Sequence, residues 1–240
     1  MKRLIIIPTF NESENIKILI PRIFKYITNT SVLVVDDGSP DRTAEVVQGL
    51  QNNFPELYLE QRGKKSGLGS AYRFGFKWGL NRDFEELIEM DADMSHRVRD
   101  LSKMIELKEL EPSVGLVIGS RWVKGGSTIN WPKRREVLSR AANLYVRLML
   151  GMGVSDSTAG FRIYSSDLLR KIPLGTIKSE GYSFQIEMTR AANRAKAKIV
   201  EVPITFRERE SGVSKMSGAI VREAMILVTI WGIKRFLRIK

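Results

Sequence analysis

Four short apolar runs, Leu4 to Ile7, Ser31 to Val35, Leu57 to Leu59 and Leu87 to Met90, punctuate the first 95 residues of the chain. They lack the apolar–polar alternation of a half-solvated strand, which predicts parallel strands buried on both faces. Between the first two, Ile16, Leu19, Ile20, Ile23, Phe24 and Ile27 recur at helical spacing after Pro8 and Asn11. Pro40-Asp41 opens a second helix through Val46, Val47 and Leu50, and Gly67-Leu68-Gly69 leads into a third carrying Ala71, Phe74 and Trp78. This βαβαβαβ order predicts an α/β fold: a mostly parallel central sheet with right-handed crossovers, flanked by helices.

Past Asp93 the pattern is less regular. Gly115 to Gly119 reads as a strand, Val137 to Leu150 as an amphipathic helix, and Ile199 to Ile204 as a late strand. No repeat or low-complexity linker interrupts the chain, so residues 1–218 are expected to form one catalytic domain. Residues 219–240 form a separate tail. It holds ten consecutive uncharged residues, Ala224 to Ile233, followed by Lys234, Arg235, Arg238 and Lys240. That stretch is too short to span a bilayer, which takes about 20 apolar residues. An amphipathic helix, apolar with a basic end and carrying Trp231 and Phe236, suits the plane of a membrane interface instead. The competing expectation is a terminal helix packed on the domain, its basic end favoured by the helix dipole.

Charge changes the picture next. Across 240 residues, 39 Lys and Arg against 27 Asp and Glu give a net charge of +12. Such an excess calls for an anionic partner. The 43% hydrophobic and 28% charged content fits a folded globular protein. Disulfide and thiolate chemistry are excluded, since there is no cysteine. Leu4 to Ile7 is too short for a signal peptide, so the expected location is the cytoplasmic side of a membrane, reached peripherally.

Candidate chemistry gathers at strand ends. Asp91-Ala92-Asp93 closes the fourth strand, Asp36-Asp37-Gly38-Ser39 the second, and Pro8-Thr9-Phe10-Asn11-Glu12 the first. The carboxyl ends of strands in an open α/β sheet form its ligand crevice. Two carboxylates two residues apart suit Mg²⁺ or Mn²⁺, which in turn bridge a diphosphate. Acidic groups at three neighbouring strand ends repel one another unless they hold a cation or a hydroxyl-rich ligand. Between Gly119 and Arg140 the sign reverses: Arg121, Lys124, Lys133, Arg134, Arg135 and Arg140 face one acid, Glu136. Arginine forks there suit a phosphate. His96, the one histidine, is a further metal or phosphate candidate, with a turn role as the alternative. Gly67-Leu68-Gly69 resembles part of a dinucleotide fingerprint, but Tyr72 stands in the third glycine's place.

Together with Gly119-Ser120-Arg121-Trp122, Ser139-Arg140-Ala141-Ala142-Asn143, Asp156-Ser157-Thr158-Ala159-Gly160-Phe161-Arg162, Gly181-Tyr182-Ser183-Phe184-Gln185-Ile186-Glu187 and Glu201-Val202-Pro203-Ile204, these motifs span nearly the whole chain. The series resembles the dolichol-phosphate (polyprenol-phosphate) mannose synthases of glycosyltransferase family 2. The resemblance implies a GT-A nucleotide-sugar-binding fold and transfer of mannose from GDP-mannose to a polyprenyl or dolichyl phosphate, with inversion. By the same resemblance, Pro8, Phe10, Glu12 and Asp37 bind guanosine, and Asp91, Ala92 and Asp93 bind the donor diphosphate. The metal falls to Asp91 and Asp93, with Ser95 where some members carry glutamine. Arg121, Arg135 and Ser139 take the acceptor phosphate, helped by Arg209 and Lys215, and Asp156 orients acceptor or sugar. The tail is similar to that of members without transmembrane helices, for which a separate membrane-anchoring subunit is an implied partner.

The main alternative keeps the fold and changes the donor: a polyprenol-phosphate glucosyltransferase using UDP-glucose. A processive polysaccharide synthase is disfavoured, because Ile118 stands where a Gln-x-x-Arg-Trp motif needs glutamine. A nucleotidyltransferase leaves the basic segment after Arg121 unexplained. A non-catalytic module for nucleic acid suits the net charge but not the acidic strand ends, which repel phosphates.

Overall fold

The computed structural model describes residues 1–208 and 218–237. Its first part runs β1 (Arg3–Thr9), α1 (Ser13–Tyr26), β2 (Thr30–Asp36), α2 (Thr43–Gln51), β3 (Leu57–Gln61), α3 (Leu68–Leu80) and β4 (Glu86–Glu89), the predicted alternation. Then follow α4 (Val98–Leu110), β5 (Val114–Ser120), β6 (Ser127–Ile129), α5 (Lys133–Leu150), β7 (Arg162–Ser165) and α6 (Ser166–Lys171). The chain continues with α7 (Gly181–Arg194), β8 (Lys198–Pro203), β9 (Thr205–Arg207) and α8 (Gly218–Phe236). The predicted late strand is β8, ending at Pro203, and α5 starts four residues ahead of its predicted Val137. The elements β6, β7, β9, α4, α6 and α7 were not anticipated.

Among the described residues the main sheet has the order β3-β2-β1-β4-β7-β5-β8, and β6 pairs with β9 alongside it. Only β7 runs antiparallel to its neighbours β4 and β5; the other pairs are parallel. The two-residue period of a strand divides the core in two. Ile5, Ile7, Val32, Val34 and Ile88 face the layer of α1, α2 and α4. Leu4, Ile6, Leu33, Val35 and Leu87 face α3, α6 and α7. On α3, a Cβ at Gly79 would stand 2.7 Å from Leu87 and 2.8 Å from Leu4, so glycine lets this helix lie close to the sheet. That approach brings its N-terminus to the ends of β1 and β4.

A third apolar cluster joins Val146 and Leu150 of α5, Ile186 of α7 and Ala224 and Val228 of α8. Tyr145 and Thr229 share a hydroxyl hydrogen bond of 2.7 Å across it. Outside the cluster, Ile226, Ile230 and Ile233 of α8 remain exposed. Apolar residues thus occupy both the packed and the open side of α8 and its charge is confined to its ends, so the expected amphipathic helix is instead apolar around its circumference. No described helix is long and apolar enough to cross a membrane.

Candidate active site

An open cleft of about 360 Å³ lies at the carboxyl ends of β1, β2 and β4. Pro8, Phe10, Glu12, Asp37, Asp91, Ala92, Asp93, Arg121 and Arg135 all line it, so most of the expected site residues do come together. Ser139 lines a smaller, largely apolar crevice of about 70 Å³ between α5, α7 and α8. Ser95 and Asp156 are buried and line neither space. Arg209 and Lys215 lie outside the described residues.

At the β1–β2 end the protein answers much of its own acidic repulsion. Thr9 and Ser39 hydroxyls donate to Asp36 at 2.8 and 2.5 Å. The Asp37 carboxylate accepts from Arg62 Nε at 2.6 Å and from the Ser66 amide at 3.1 Å. Lys65 sits 4.1 Å from the centre of the Phe10 ring, within cation–π reach. Glu12 accepts from the Asn15 amide at 2.7 Å. Acids framed in this way keep acceptor edges for a base or ribose without a cation at every strand end.

The Asp91–Asp93 turn is fixed from three sides. The hydroxyl of Tyr72, fully buried, donates to Asp91 Oδ1 at 3.2 Å. The residue that breaks the dinucleotide pattern is therefore the one that reaches the acid. Glu180, accepting the Gly69 and Ser70 amides at 2.7 and 3.0 Å, caps α3 in place of a bound anion. The Asp91 amide donates to His96 Nδ1 at 3.1 Å. His96 is stacked on Phe161 at 4.6 Å, and burial holds its pKa below the usual imidazole value despite the nearby Asp91 and Asp93. It acts as a neutral acceptor that shapes the turn. Met94 occupies left-handed backbone space at φ 62°, which strains a side chain of this size. The Ser95 amide then closes an Asx turn on Asp93 Oδ1 at 3.1 Å. Beneath this turn Glu89 is fully buried; burial pushes its pKa up to about 8 against the opposing pull of Arg162 and Gln185. At neutral pH it adds little negative charge below Asp91.

At the other end of the cleft Arg121 is clamped by Asp156. Its Nε and Nη2 donate to the two carboxylate oxygens at 2.7 Å each, and its amide adds a third bond at 3.0 Å. Burial alone would raise the Asp156 pKa, but the Arg121 charge and these hydrogen bonds hold it below the ordinary carboxylate value. Glu201 in turn accepts the amides of Ser155 and Asp156 at 2.7 and 3.0 Å. The expected orienting contact of Asp156 with a ligand is thus replaced by contact with Arg121. Both Arg121 and Arg135 pack against the Trp131 ring, at 5.3 and 4.1 Å. Arg135 pairs with Glu208, while its Nε and the indole Nε1 of Trp131 are buried and meet no acceptor. Cleft and crevice share Arg121, Trp131, Arg135, Thr158 and Tyr182. Unused donors therefore collect where polar space meets apolar space.

The family model "Glycosyl transferase family 2" matches residues 4–173. The chain belongs to glycosyl transferase family 2. This transferase is 47% identical over 234 residues to the polyprenol monophosphomannose synthase of Mycolicibacterium smegmatis, covering 97% of this chain and 88% of that one. It is also 47% identical over 233 residues to the undecaprenyl-phosphate mannosyltransferase of Micrococcus luteus, covering 97% and 95%. Among solved structures, glucosyl-3-phosphoglycerate synthase from Mycobacterium tuberculosis, in complex with Mn²⁺, UDP and phosphoglyceric acid, superposes with a TM-score of 0.72 at 17% identity. That match covers 96% of this chain and 78% of that one. At such identity the likeness speaks for the fold, which is of the GT-A type. Tyr72, Trp131, Tyr182 and Gln185 line or support the transferase's cleft and carried no charge or metal-ligand signal to single them out in the sequence.

Proposed function

We propose that this transferase moves mannose from GDP-mannose to the phosphate of a polyprenol, inverting the sugar carbon, at the cytoplasmic surface of a membrane. The observation that carries the reading is the continuity of two unlike spaces. An acidic cleft with paired aspartates passes, through Arg121, Trp131 and Arg135, into a crevice lined by Leu138, Ala142, Val146, Ile186 and Val228. A polyprenyl phosphate is an amphiphile, and its phosphate belongs at such a junction. Similarity to two enzymes named as polyprenol-phosphate and undecaprenyl-phosphate mannose transferases supports the same choice.

The chain's residues fit a divalent cation. Asp91 and Asp93 both line the cleft, and the Ser95 hydroxyl beside them is buried without a hydrogen-bond partner. No group of three or more His, Cys, Asp or Glu among the described residues forms an all-protein cage. Mg²⁺ or Mn²⁺ would be held by Asp91 and Asp93, with Ser95 as a further oxygen, leaving positions for donor phosphates. When bound, it supplies charge neutralisation to the departing diphosphate. Pro8, Phe10, Glu12 and Asp37 hold the nucleoside end. The acceptor phosphate has a second pKa of about 6, so it arrives largely dianionic and needs no strong base. Arg121, Arg135, and the Trp131 indole hold it against the repulsion of the donor, with Ser139 at the mouth of the crevice. Arg121, locked by Asp156, pays no reorganisation cost as the anions meet.

The membrane reading rests on where the greasy surface is. Exposed Val137, Leu138, Leu144 and Leu148 of α5 lie on the helix that packs against α8, which exposes Ile226, Ile230, Ile233 and Phe236. Lys133, Arg134, Lys234 and Arg235 flank them. Residues 1–218 are then the catalytic domain and 219–240 a membrane-facing segment, reaching the bilayer alone or with an anchoring subunit. The double substitution Leu148→Glu with Ile230→Glu should weaken partitioning onto anionic liposomes by about 10²-fold or more, since two apolar side chains contributing about 1.5–3 kcal/mol each are lost together. Unchanged cosedimentation would leave the pair as ordinary surface.

The deciding experiment incubates the protein with Mg²⁺, a short polyprenyl phosphate and labelled GDP-mannose or UDP-glucose, following label into lipid. Lipid label from GDP-mannose that disappears with EDTA is the expected result. Label from UDP-glucose alone would overturn the donor. Arg135→Ala should raise the KM for polyprenyl phosphate by about 10- to 100-fold, the loss of one charged hydrogen-bonding group, with the donor KM unchanged. A change confined to the donor would reverse the assignment.

A further inference from the structure

Two residues with hydroxyl groups, Thr158 and Tyr182, line both the cleft and the crevice. The first is fully engaged: Thr158 Oγ1 accepts from Arg121 Nη2 at 2.9 Å and from Asn143 Nδ2 at 3.2 Å, and donates to Asp156 at 3.2 Å. Tyr182 is half-buried, and among the described residues its hydroxyl makes no hydrogen bond. The phenol lies close enough to the Arg121 guanidinium to interact with its charge. Its place is fixed from both sides along the chain. Two residues earlier, Glu180 accepts the Gly69 and Ser70 amides and pairs with Arg73 at 3.0 Å, while Arg73 Nη1 donates to the Ser179 carbonyl at 3.1 Å. Gly181 then turns the backbone at φ 56°, left-handed space that glycine occupies without strain. Two residues later, Phe184 is fully buried and stacked on Tyr72 at 6.2 Å. The first turn of α7 is thereby pinned to α3 before and after Tyr182.

Tyrosine combines an apolar ring with a polar tip and suits a boundary where one end is greasy and the other wet. Tyr182 stands at such a boundary, with Leu138, Ala142 and Ile186 in the crevice and Arg121 and Arg135 shared with the cleft. A phenol, with an ordinary pKa of about 10, is neutral near pH 7 and donates to an anion without repelling it. The other cleft phenol, Tyr72, is already committed to Asp91. We infer that the Tyr182 hydroxyl donates to the acceptor phosphate while its ring borders the first part of the prenyl chain, which makes Tyr182 a further acceptor-binding residue. The inference rests on the transferase reading above.

The test uses the full chain with Mg²⁺, labelled GDP-mannose and polyprenyl phosphate in mixed micelles of fixed composition. Wild-type transfer comes first; its absence would overturn the functional reading, not this contact. With transfer in hand, Tyr182→Phe keeps the ring and removes only the donor. Its acceptor KM should rise about 10- to 100-fold, the loss of one hydrogen bond to a charged group, while GDP with Mn²⁺ binds within about twofold of wild type. Unphosphorylated polyprenol, added as a competitor, should inhibit both proteins equally, because the ring that borders the chain is unchanged. An acceptor KM within about twofold of wild type would overturn the inference. So would a polyprenol that loses the same factor as the phosphate, since the residue would then serve the chain alone. A fall in GDP affinity matching the loss of activity would assign it to nucleotide or metal instead. A thermal melt completes the comparison: Tyr182→Phe should melt with wild type, and a variant that unfolds would overturn the inference by showing the hydroxyl to be structural.

Discussion

Asp93→Asn should lower the rate of transfer by about 10³-fold or more while leaving the fold intact. A single well-placed electrostatic group contributes about 10²–10³ in kcat, and a carboxylate that also holds a divalent cation contributes more. Asparagine preserves shape, and its amide oxygen can still accept from the Ser95 amide that closes the turn at 3.1 Å in the native chain. What it removes is one negative charge from the lining of the cleft. Label transfer into lipid, read beside circular dichroism and a thermal melt, separates the two contributions. Near-normal turnover in a folded Asp93→Asn protein would remove the metal assignment from the Asp91–Asp93 pair.

The second large effect concerns stability as much as activity. Asp156→Asn should destabilise the protein by about 3–5 kcal/mol, because it leaves the buried Arg121 charge uncompensated. For a chain of this size that corresponds to a fall in Tm of roughly 6–20 °C. Acceptor KM should rise in parallel as Arg121 loses its orientation. The pH dependence carries a distinct sign. The Asp156 pKa is held below its usual value of 3.8 in the folded state. Its contribution is therefore fully present above that value and is lost as pH falls through the lower, folded one. Despite burial, Arg121 is shifted upward from the ordinary guanidinium value by Asp156, so its share persists throughout the working range. Chemical denaturation of both proteins near pH 7 and again near pH 3 checks this. The difference between wild type and Asp156→Asn should shrink at the acid end, and a constant difference would show that the ion pair is not its source.

The first half of the fold is legible because its strands are buried on both faces and its helices on one. Leu4 to Ile7 has no exposed side, so nothing polar interrupts the pattern. The later elements hide their burial behind polar residues. Strand β7 has only four residues and opens with Arg162, which looks like a surface residue but is fully buried, bonded to main-chain oxygens of Ser157, Ala159 and Gln185. Helix α4 buries Asp100 and Lys108, and α7 buries Ser183, Gln185 and Thr189, which flattens the apolar stripe that periodicity detects. The site divides in the same way. Carboxylates at strand ends and a basic run are visible as residue types. That Asp156 serves Arg121 from 35 positions away, or that Tyr72 reaches Asp91, depends on which elements fold onto which.

The crevice between α5 and α8 has a bearing on how the reaction must be measured. Leu138 is at once part of its lining and 52% exposed on the outer row of apolar side chains. On the proposed membrane placement, an acceptor entering there need not leave the bilayer, and it reaches the enzyme by lateral diffusion in two dimensions. Its effective concentration is then a mole fraction of the surface, and a KM expressed per litre has no fixed meaning. Adding inert phospholipid at constant bulk acceptor should slow turnover in proportion to the dilution of the surface, even though nothing in solution has changed.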